Sequence, residues 1–178
     1  MQTIGLVPGA MKPFHAGHNH LIQTAIEECD HILILTSTKD RGIINGNRML
    51  DVWDKVILPL LPNKVEVVAV RSPVRGVYDY FEWNRKPERT YRIYGGTEDI
   101  ARLSKARIPQ YYPDLNVVNV AEENPEAYTR EVVHAKGEWV RESIKAGDHG
   151  KFRSFLPDFL KPHTKEYLKT LLGHNVVL

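Results

Sequence analysis

The sequence predicts an α/β fold, a Rossmann-like, doubly wound parallel sheet of five strands with a helical C-terminal appendage. Five short runs rich in Ile, Val, Leu or Tyr are spread along the chain, and amphipathic helical patterns lie between them. After the fifth run come an acidic, turn-like segment and then helical patterns. Alternating strands and helices imply parallel strands joined by right-handed crossovers, with helices on both faces of the sheet.

Each predicted strand is a short apolar run that ends at a residue typical of turns. The runs contain the branched and aromatic side chains that strands favour, and each is followed by Gly, Pro, Ser or Asn. The predicted strands are residues 3–7, 31–36, 64–70, 90–94 and 115–120. Their even spacing along the chain indicates one sheet.

Apolar residues at helical spacing predict two longer helices between the strands. The first apolar face is formed by Leu21, Ile22, Ala25, Ile26 and Cys29, and the second by Met49, Val52, Trp53, Val56 and Leu60. Two shorter helices are predicted over residues 75–82 and 98–103.

We expect one domain, residues 1–178, in which residues 138–178 form a helical C-terminal subdomain. The C-terminal helical patterns include two apolar clusters, FRSFLPDFL and YLKTLLG, and the sequence has no repeat period or low-complexity segment. The two longest predicted loops, 37–47 and 121–137, are interpreted as ligand-facing loops rather than linkers.

The charge balance and the cysteine content exclude several classes of protein. The 178 residues include 24 Lys and Arg against 22 Asp and Glu, a formal net charge of +2, without a run of like charges. This argues against a nucleic acid or a membrane as a partner. The single Cys29 excludes an intrachain disulfide and a zinc site built from cysteines, and it indicates a reducing compartment. Since no stretch approaches the roughly 18 apolar residues of a membrane span and no apolar leader is present, we expect a cytoplasmic protein whose whole sequence is in the mature fold.

The loop after the first predicted strand, PGAMKPFHAGH, is the most informative segment. In an open parallel sheet a ligand lies outside the carboxyl ends of the strands, where this loop leads into a helix that begins near residue 17. Gly9 allows close approach of the backbone or a positive φ, and Gly17 lets a phosphate lie against the first free N–H groups of the helix. His15 and His18, three residues apart, can point into one pocket and donate hydrogen bonds to phosphate oxygens.

The string GAMKPFHAGH resembles the Gly-x-Phe-x-Pro-x-His-x-Gly-His signature of the nucleotidylyltransferase superfamily, with Met11 at the Phe position. Class I aminoacyl-tRNA synthetases share the motif, but they are much longer and carry a Lys-Met-Ser-Lys-Ser loop that is absent here. PFHAGH is closer to the form found in nicotinamide mononucleotide adenylyltransferases than to the forms in cytidylyltransferases or phosphopantetheine enzymes. The resemblance covers most of the chain.

The resemblance implies further binding residues in the loops that follow the predicted strands. For the nucleotide it implies Gly9, Ala10, Met11 and Gly17 in the first loop, Gly95, Gly96, Glu98 and Asp99 in the Gly-rich turn after the fourth strand, and Lys136. For the acceptor phosphate it implies Thr36, Lys39 and Arg41 after the second strand and Arg75 after the third.

The segment VRESIKAG resembles the helix that ends the second motif of the superfamily, Ser-x-Thr-x-x-Arg. Arg141 stands where that motif has the arginine that contacts the outer phosphates. Lys136 occupies the Ser position and Glu138 the Thr position, so the hydroxyls that would cap the helix and bind phosphate are missing, and Glu138 would repel phosphate.

These residues imply transfer of a nucleoside monophosphate, with AMP from ATP favoured, to a phosphomonoester such as nicotinamide mononucleotide, with release of pyrophosphate. His15 and His18 are assigned to the triphosphate, Lys12 and Lys39 to the acceptor or α-phosphate, and Arg141 to the β- and γ-phosphates. The expected cofactor is Mg²⁺, held by the nucleotide and water, so no protein residue is predicted as a metal ligand.

Two alternatives stay open: a cytidylyltransferase acting on a sugar or polyol phosphate, and a non-catalytic nucleotide-binding module with a degenerate second motif. The expected partners are a nucleoside triphosphate and a phosphomonoester, without nucleic acid or membrane. A homo-oligomer is left open, since dimers and larger assemblies are common in the families that the sequence resembles.

Overall fold

The computed structural model describes residues 2–95, 108–120 and 135–174. The chain divides into two compact units, which we describe separately. The sheet unit comprises Met1–Gly9, Leu21–Thr36 and Lys64–Glu131, and the helical unit comprises Ala10–His20, Ser37–Asn63 and Val132–Leu178.

Five strands form the predicted parallel sheet, in the order β3-β2-β1-β4-β5. They are β1 (Thr3–Pro8), β2 (His31–Ser37), β3 (Val65–Val70), β4 (Thr90–Ile93) and β5 (Asn116–Asn119). The central strand β1 pairs in parallel with β2 and β4, so that Leu6 lies opposite both Leu33 and Ile93. Every strand lies within one residue of its predicted bounds at each end, because each run of apolar residues is interrupted by turn residues.

The core of the sheet unit is packed by residues of the strands and of helix α3 (Pro73–Trp83). Val77 and Phe81 of α3 are fully buried together with Leu6 and Tyr91. The helix is longer than the predicted 75–82, because Ser72 accepts a hydrogen bond from the backbone N–H at position 75 and a proline follows it as the first helical residue. The sheet unit also contains the short helix α4 (Ile108–Tyr111).

The two predicted longer helices are present, but the second is not a regular α-helix. Helix α1 spans Ala16–Glu28. The second begins as α2 (Gly46–Val52), widens into a π-helix (Trp53–Ile57) and tightens into a 3₁₀ turn (Leu58–Leu60). A π-helical turn contains more residues than an α-helical one, so Leu60 leaves the predicted apolar face and is 41% exposed.

The described C-terminal residues are helical. They form α5 (Gly137–Lys145), α6 (His149–Ser154), a 3₁₀ helix (Asp158–His163) and α7 (Thr164–Leu172). The largest fully buried side chains of the helical unit are Phe14, Trp53, Phe152 and Tyr167. The predicted helix 98–103 and most of the predicted loop 121–137 lie outside the described residues. In the described part of the chain, every helix is too short or too polar to cross a membrane.

Candidate active site

The loop after β1 is held in a constrained backbone conformation. Gly9 donates its N–H to the carbonyl of Leu35 at 3.1 Å. Met11 has a φ of 48° and is 3% exposed, so a non-glycine residue occupies the left-handed region while its side chain is buried. Such a conformation costs free energy and persists only where the surrounding contacts fix it, which is typical of functional loops.

Lys12 is a buried lysine with a hydroxyl partner. Its side chain is 4% exposed, and Nζ donates to the Oγ of Ser37 at 3.0 Å. Burial lowers the pKa of Lys12, and the nearby charges of Arg41 and Lys39 lower it further, whereas Asp40 opposes them. A bound anion would raise the pKa of Lys12, as Asp40 does, and would stabilise its charged form. Lys12 is therefore suited to bind a negatively charged ligand.

His15 and His18 lie together at the start of α1, as the sequence predicts. Their rings stack with 3.8 Å between centroids and 24° between planes. The Nδ1 of His15 accepts the N–H of Gly17 at 3.0 Å, and the Nδ1 of His18 accepts the N–H of His15 at 3.3 Å. Because a backbone N–H can only donate, both Nδ1 atoms are unprotonated, and each neutral ring carries its proton on Nε2.

Both imidazoles are neutral at physiological pH. Burial, with a smaller effect from Arg141, lowers the pKa of His15 to about 4. Burial lowers the pKa of His18 well below its usual value, and His15 and Arg41 add to the shift. The pair therefore offers two Nε2–H donors to a ligand without adding positive charge.

Gly17 is required by the position of the His15 ring. A Cβ at this position would lie 2.8 Å from the Cε1 of His15, closer than side-chain carbons approach. The absence of a side chain lets the imidazole lie against the first turn of α1 and accept its N–H. The glycine predicted to admit a phosphate thus also admits the ring of His15.

Arg141 of α5 reaches the loop that contains Lys12. Its Nη1 donates to the carbonyl oxygen of Lys12 at 2.9 Å. Gly137 leaves room for the side chain, because a Cβ there would lie 2.9 Å from Nη1. A Cβ at Gly42 would make an ordinary contact, 3.5 Å from Cδ, but this glycine has a φ of 57°, which side chains disfavour. Burial and the charge of Arg41 lower the pKa of Arg141, whereas Glu138 and Glu142 oppose that shift.

Four cations whose charges act on one another form what we call the cationic cluster. Its members are Lys12, Lys39, Arg41 and Arg141. Within the described residues, none of the four forms an ion pair with a carboxylate. Asp40, the carboxylate nearest in sequence, accepts the N–H of Gly46 at 2.9 Å. Neighbouring cations that lower the pKa of Lys12 and of Arg141 are typical of a site that binds an anion.

The predicted ligand-facing loop 37–47 is fixed by close backbone contacts. A Cβ at Gly46 would lie 2.0 Å from the carbonyl oxygen of Thr38, so only glycine fits. The side chain of Asn45 caps α2 by accepting the N–H of Arg48. Gly42, Gly46 and Gly137 were not predicted from the sequence. The Asn-Gly pair at the start of α2 is a turn signal that points to Gly46.

The first turn of α5 lacks the hydroxyl cap, as its sequence predicts. Lys136 is the N-cap residue, and its side chain makes no capping hydrogen bond. Its Nζ lies 5.1 Å from the centre of the Trp139 ring, which holds the ammonium in a cation–π contact. Glu138 is exposed in the first turn.

The remaining predicted binding residues lie in the sheet unit or outside the described residues. Thr36 is 1% exposed near the end of β2. Arg75 pairs with Asp79 at 3.1 Å on α3. Gly95 is buried after β4, and a Cβ there would meet no atom within 4 Å. Gly96, Glu98 and Asp99 belong to the residues that are not described.

The donor set of the cationic cluster does not suit a protein-bound metal ion. Among the described residues, no group of three or more His, Cys, Asp or Glu is placed to hold one. Mg²⁺ prefers carboxylate and water oxygens, whereas the groups gathered here are ammonium, guanidinium and imidazole. A divalent ion would therefore be held by the phosphates of a ligand and by water.

Among the solved structures with a similar fold are proteins described as nucleotide adenylyltransferases. A protein from Vibrio parahaemolyticus assigned as a nicotinate-nucleotide adenylyltransferase superposes with a TM-score of 0.59 at 15% identity over 92% of this chain and 99% of that one. A bifunctional NMN adenylyltransferase/ADP ribose pyrophosphatase from Francisella tularensis gives 0.58 at 13% identity, covering 97% of this chain and 53% of that one. A structure of the same Francisella tularensis protein with AMP and manganese has a TM-score of 0.56 at 14% identity. The match covers 97% of this chain and 52% of that one.

These similarities confirm the fold that the motif resemblance implies. No protein-family model and no curated protein matches the sequence. At 13–15% identity the likeness extends to the fold alone.

Proposed function

We propose that the protein is a nucleotidylyltransferase that transfers a nucleoside monophosphate from a nucleoside triphosphate to a phosphomonoester. One observation carries the proposal: the cationic cluster, which forms no ion pair with a carboxylate in the described part of the chain, lies with two neutral Nε2–H imidazoles in the helical unit. The fold, shared with adenylyltransferases, supports the same reaction.

The proposed reaction requires alignment and charge neutralisation more than proton transfer. An oxygen of the acceptor phosphate attacks the α-phosphorus, the bond from that phosphorus to the β-bridging oxygen breaks, and pyrophosphate leaves with the electron pair. The acceptor is already an anion near neutral pH, so a general base is not required. Catalysis then depends on holding the two phosphates together and on neutralising the charge that develops on the leaving group.

The chain's own groups match these two requirements. The Nε2–H groups of His15 and His18 donate to the triphosphate, with His18 nearest the α-phosphate. Lys12, whose Nζ is fixed by Ser37, neutralises the α-phosphate or the acceptor. The Nη1 of Arg141 keeps its hydrogen bond to the carbonyl oxygen of Lys12. The other N–H groups of the guanidinium bind the β- and γ-phosphates.

The finer assignments follow from the motif resemblance. AMP from ATP is the favoured donor and nicotinamide mononucleotide the model acceptor, with CMP transfer to a sugar or polyol phosphate as the alternative. Thr36, Lys39, Arg41 and Arg75 are proposed for the acceptor. Gly9, Ala10, Met11, Gly17, Gly95, Gly96, Glu98, Asp99 and Lys136 are proposed for the nucleotide. Mg²⁺ is proposed to enter with the triphosphate.

We further propose that residues 1–178 act as one nucleotidylyltransferase domain, with 138–178 as its helical subdomain, in the cytoplasm and without nucleic-acid or membrane partners. A homo-oligomer is compatible with this proposal.

The proposal is tested by following pyrophosphate release from the purified protein. ATP or CTP is supplied with Mg²⁺ and a panel of phosphomonoesters that includes nicotinamide mononucleotide and polyol phosphates. Release that requires ATP and one phosphomonoester supports adenylyl transfer, whereas release that requires CTP supports the cytidylyl alternative. Absence of release with every pair, in a protein that binds nucleotide, contradicts the proposed reaction.

One observation favours a second candidate, a nucleotide-binding module without turnover. Lys136 occupies the N-cap of α5 without a capping bond, and Glu138 places a carboxylate in the first turn, where phosphate would lie. Nucleotide binding without pyrophosphate release is the outcome that supports this candidate.

A further inference from the structure

The backbone around Phe14 receives a hydrogen bond from a distant helix. The hydroxyl of Tyr167, on α7, donates to the carbonyl oxygen of Phe14 at 2.7 Å. Both side chains are fully buried, and the two residues are 153 positions apart in the chain. Since water does not reach this carbonyl, its hydrogen bond has no ready substitute.

The carbonyl of Phe14 and the N–H of His15 belong to the same peptide group. That N–H donates to the Nδ1 of His18 at 3.3 Å, which is long for a hydrogen bond. One rigid, planar group therefore accepts a hydrogen bond from Tyr167 at one end and donates one to His18 at the other. A hydrogen bond to a peptide oxygen also polarises the peptide and strengthens its N–H as a donor.

The ring of Phe14 lies between His18 and the π-helix. It stacks on the ring of His18, with 6.0 Å between centroids and 26° between planes. The Phe14 ring also packs against Trp53, the first residue of the π-helix, with 4.9 Å between centroids and 59° between planes. These contacts restrict the tilt of the His18 ring but leave its protonation site undetermined, because they involve no hydrogen bond to it.

We propose that Tyr167 is a positioning residue: its hydroxyl fixes the peptide group between Phe14 and His15, and that peptide keeps His18 in the tautomer with its proton on Nε2. The catalytic consequence depends on the proposed nucleotidyl transfer, in which that Nε2–H faces a phosphate. The tautomer itself is independent of any reaction.

Tyr167→Phe tests the proposal, because it removes the hydroxyl and leaves the ring. Tyr91→Phe is a matched control: Tyr91 is also fully buried, and its hydroxyl donates to a backbone carbonyl, that of Asn84, at 2.8 Å in the sheet unit. A second variant, Phe14→Leu, removes the ring stacked on His18 and keeps the peptide group. Thermal melting verifies that each variant folds.

The direct readout is the nitrogen-15 spectrum of the histidine rings, measured without ligand. In the wild type we expect one protonated and one unprotonated nitrogen in His18. In Tyr167→Phe we expect the two resonances to approach each other as the tautomers mix, whereas in Tyr91→Phe and Phe14→Leu they keep their separation. Unchanged His18 resonances in Tyr167→Phe would overturn the proposal, and so would an equal change in Tyr91→Phe or a change in Phe14→Leu.

The kinetic readout links the tautomer to turnover. In Tyr167→Phe we expect kcat for pyrophosphate release to fall on the order of tenfold while KM for the triphosphate changes little, as for a residue that orients a catalytic imidazole. In Tyr91→Phe we expect kcat to stay at the wild-type value. Wild-type kcat in Tyr167→Phe despite mixed tautomers would contradict the catalytic consequence. Mixed tautomers in a protein that releases no pyrophosphate at all would refute the proposed function and leave the positioning role intact.

Discussion

Two arginines of the sheet unit form ion pairs with carboxylates, whereas the four cations of the cationic cluster in the helical unit form none within the described residues. In the sheet unit, Arg92 lies 2.6 Å from a carboxylate oxygen of Glu28, and Arg75 lies 3.1 Å from Asp79. Lys12 and Arg141 instead donate to a hydroxyl and to a backbone carbonyl. Gathering like charges opposes folding, so the cationic cluster lowers the stability of the helical unit.

An anionic ligand would be recognised at the cationic cluster rather than at an ion pair. An ion pair is already complete, and an added anion would compete with its carboxylate. Among the residues that the structure describes, the cationic cluster has no such carboxylate, so an anion would relieve the repulsion between Arg41 and Arg141 and the cost of burying Lys12. Substitutions at the site in the helical unit should therefore change ligand binding or turnover, whereas those at the ion pairs of the sheet unit should leave both unchanged.

The largest effect is expected from His18→Ala. Loss of one oriented donor to the reacting phosphate should lower kcat for pyrophosphate release on the order of 10²-fold, with the fold intact. His31→Ala is the control, since His31 pairs with Glu66 in the sheet unit and should leave kcat unchanged. Steady-state kinetics on both variants measure the difference. An unchanged kcat in His18→Ala would remove His18 from the mechanism.

Gly46→Ala tests whether the loop that carries Lys39 and Arg41 is fixed by the backbone. The added Cβ would lie 2.0 Å from the Thr38 carbonyl, so the loop must move, at a cost of about 1–3 kcal/mol in the free energy of unfolding. Gly95→Ala in the sheet unit should cost much less, because its Cβ meets no atom within 4 Å. Urea unfolding compares the two variants. Equal stabilities would show that the loop is free to relax.

Acid should destabilise the protein through the buried His15. The pKa of His15 is lowered to about 4, so between pH 6.5 and 4 the unfolded chain binds a proton there that the folded chain does not. Stability should fall with falling pH in this window, by up to about 1.4 kcal/mol per pH unit for this group. His15→Gln should show a shallower decline in urea unfolding at pH 7, 5.5 and 4.5. If the free energy of unfolding declines equally in the wild type and in His15→Gln, the His15 ring is in contact with solvent and its burial does not cause the decline.

The smallest effect is expected from Glu138→Thr, which removes a carboxylate from the first turn of α5 and adds a hydroxyl. Triphosphate binding should tighten a few-fold, since an exposed charge near a helix terminus contributes roughly 0.3–1 kcal/mol. Glu166→Thr is the control, since Glu166 is an exposed carboxylate in the first turn of another helix, α7. Titration calorimetry compares their affinities. Weaker binding in Glu138→Thr would show that the carboxylate has a favourable role.

The sheet could be predicted from the sequence because its signals are local. The strands are apolar runs bounded by turn residues, and the first motif places His15 and His18 within one helix entry. The contacts that organise the cluster are not local. Arg141 and the Lys12 carbonyl are 129 residues apart, and no periodicity connects them. The π-helix at Trp53 was also not predicted, since its apolar spacing resembles that of an α-helix over two turns.

Some features at the site contradict local preference, so local rules could not predict them. Met11 has a positive φ, although glycine would adopt it more easily. Lys12 is buried, although lysine is mostly exposed. Such departures from local rules are expected where function, rather than stability, selects the residue.

The central claim is that the cationic cluster binds a triphosphate, and titration calorimetry with a non-hydrolysable ATP analogue tests it most directly. The wild type should bind, and Arg141→Lys should bind about tenfold more weakly, because an ammonium keeps the charge but not the forked geometry of the guanidinium. Arg92→Lys, in the ion pair of the sheet unit, should bind as the wild type does. Wild-type affinity in Arg141→Lys, or no binding by the wild type, would contradict the account.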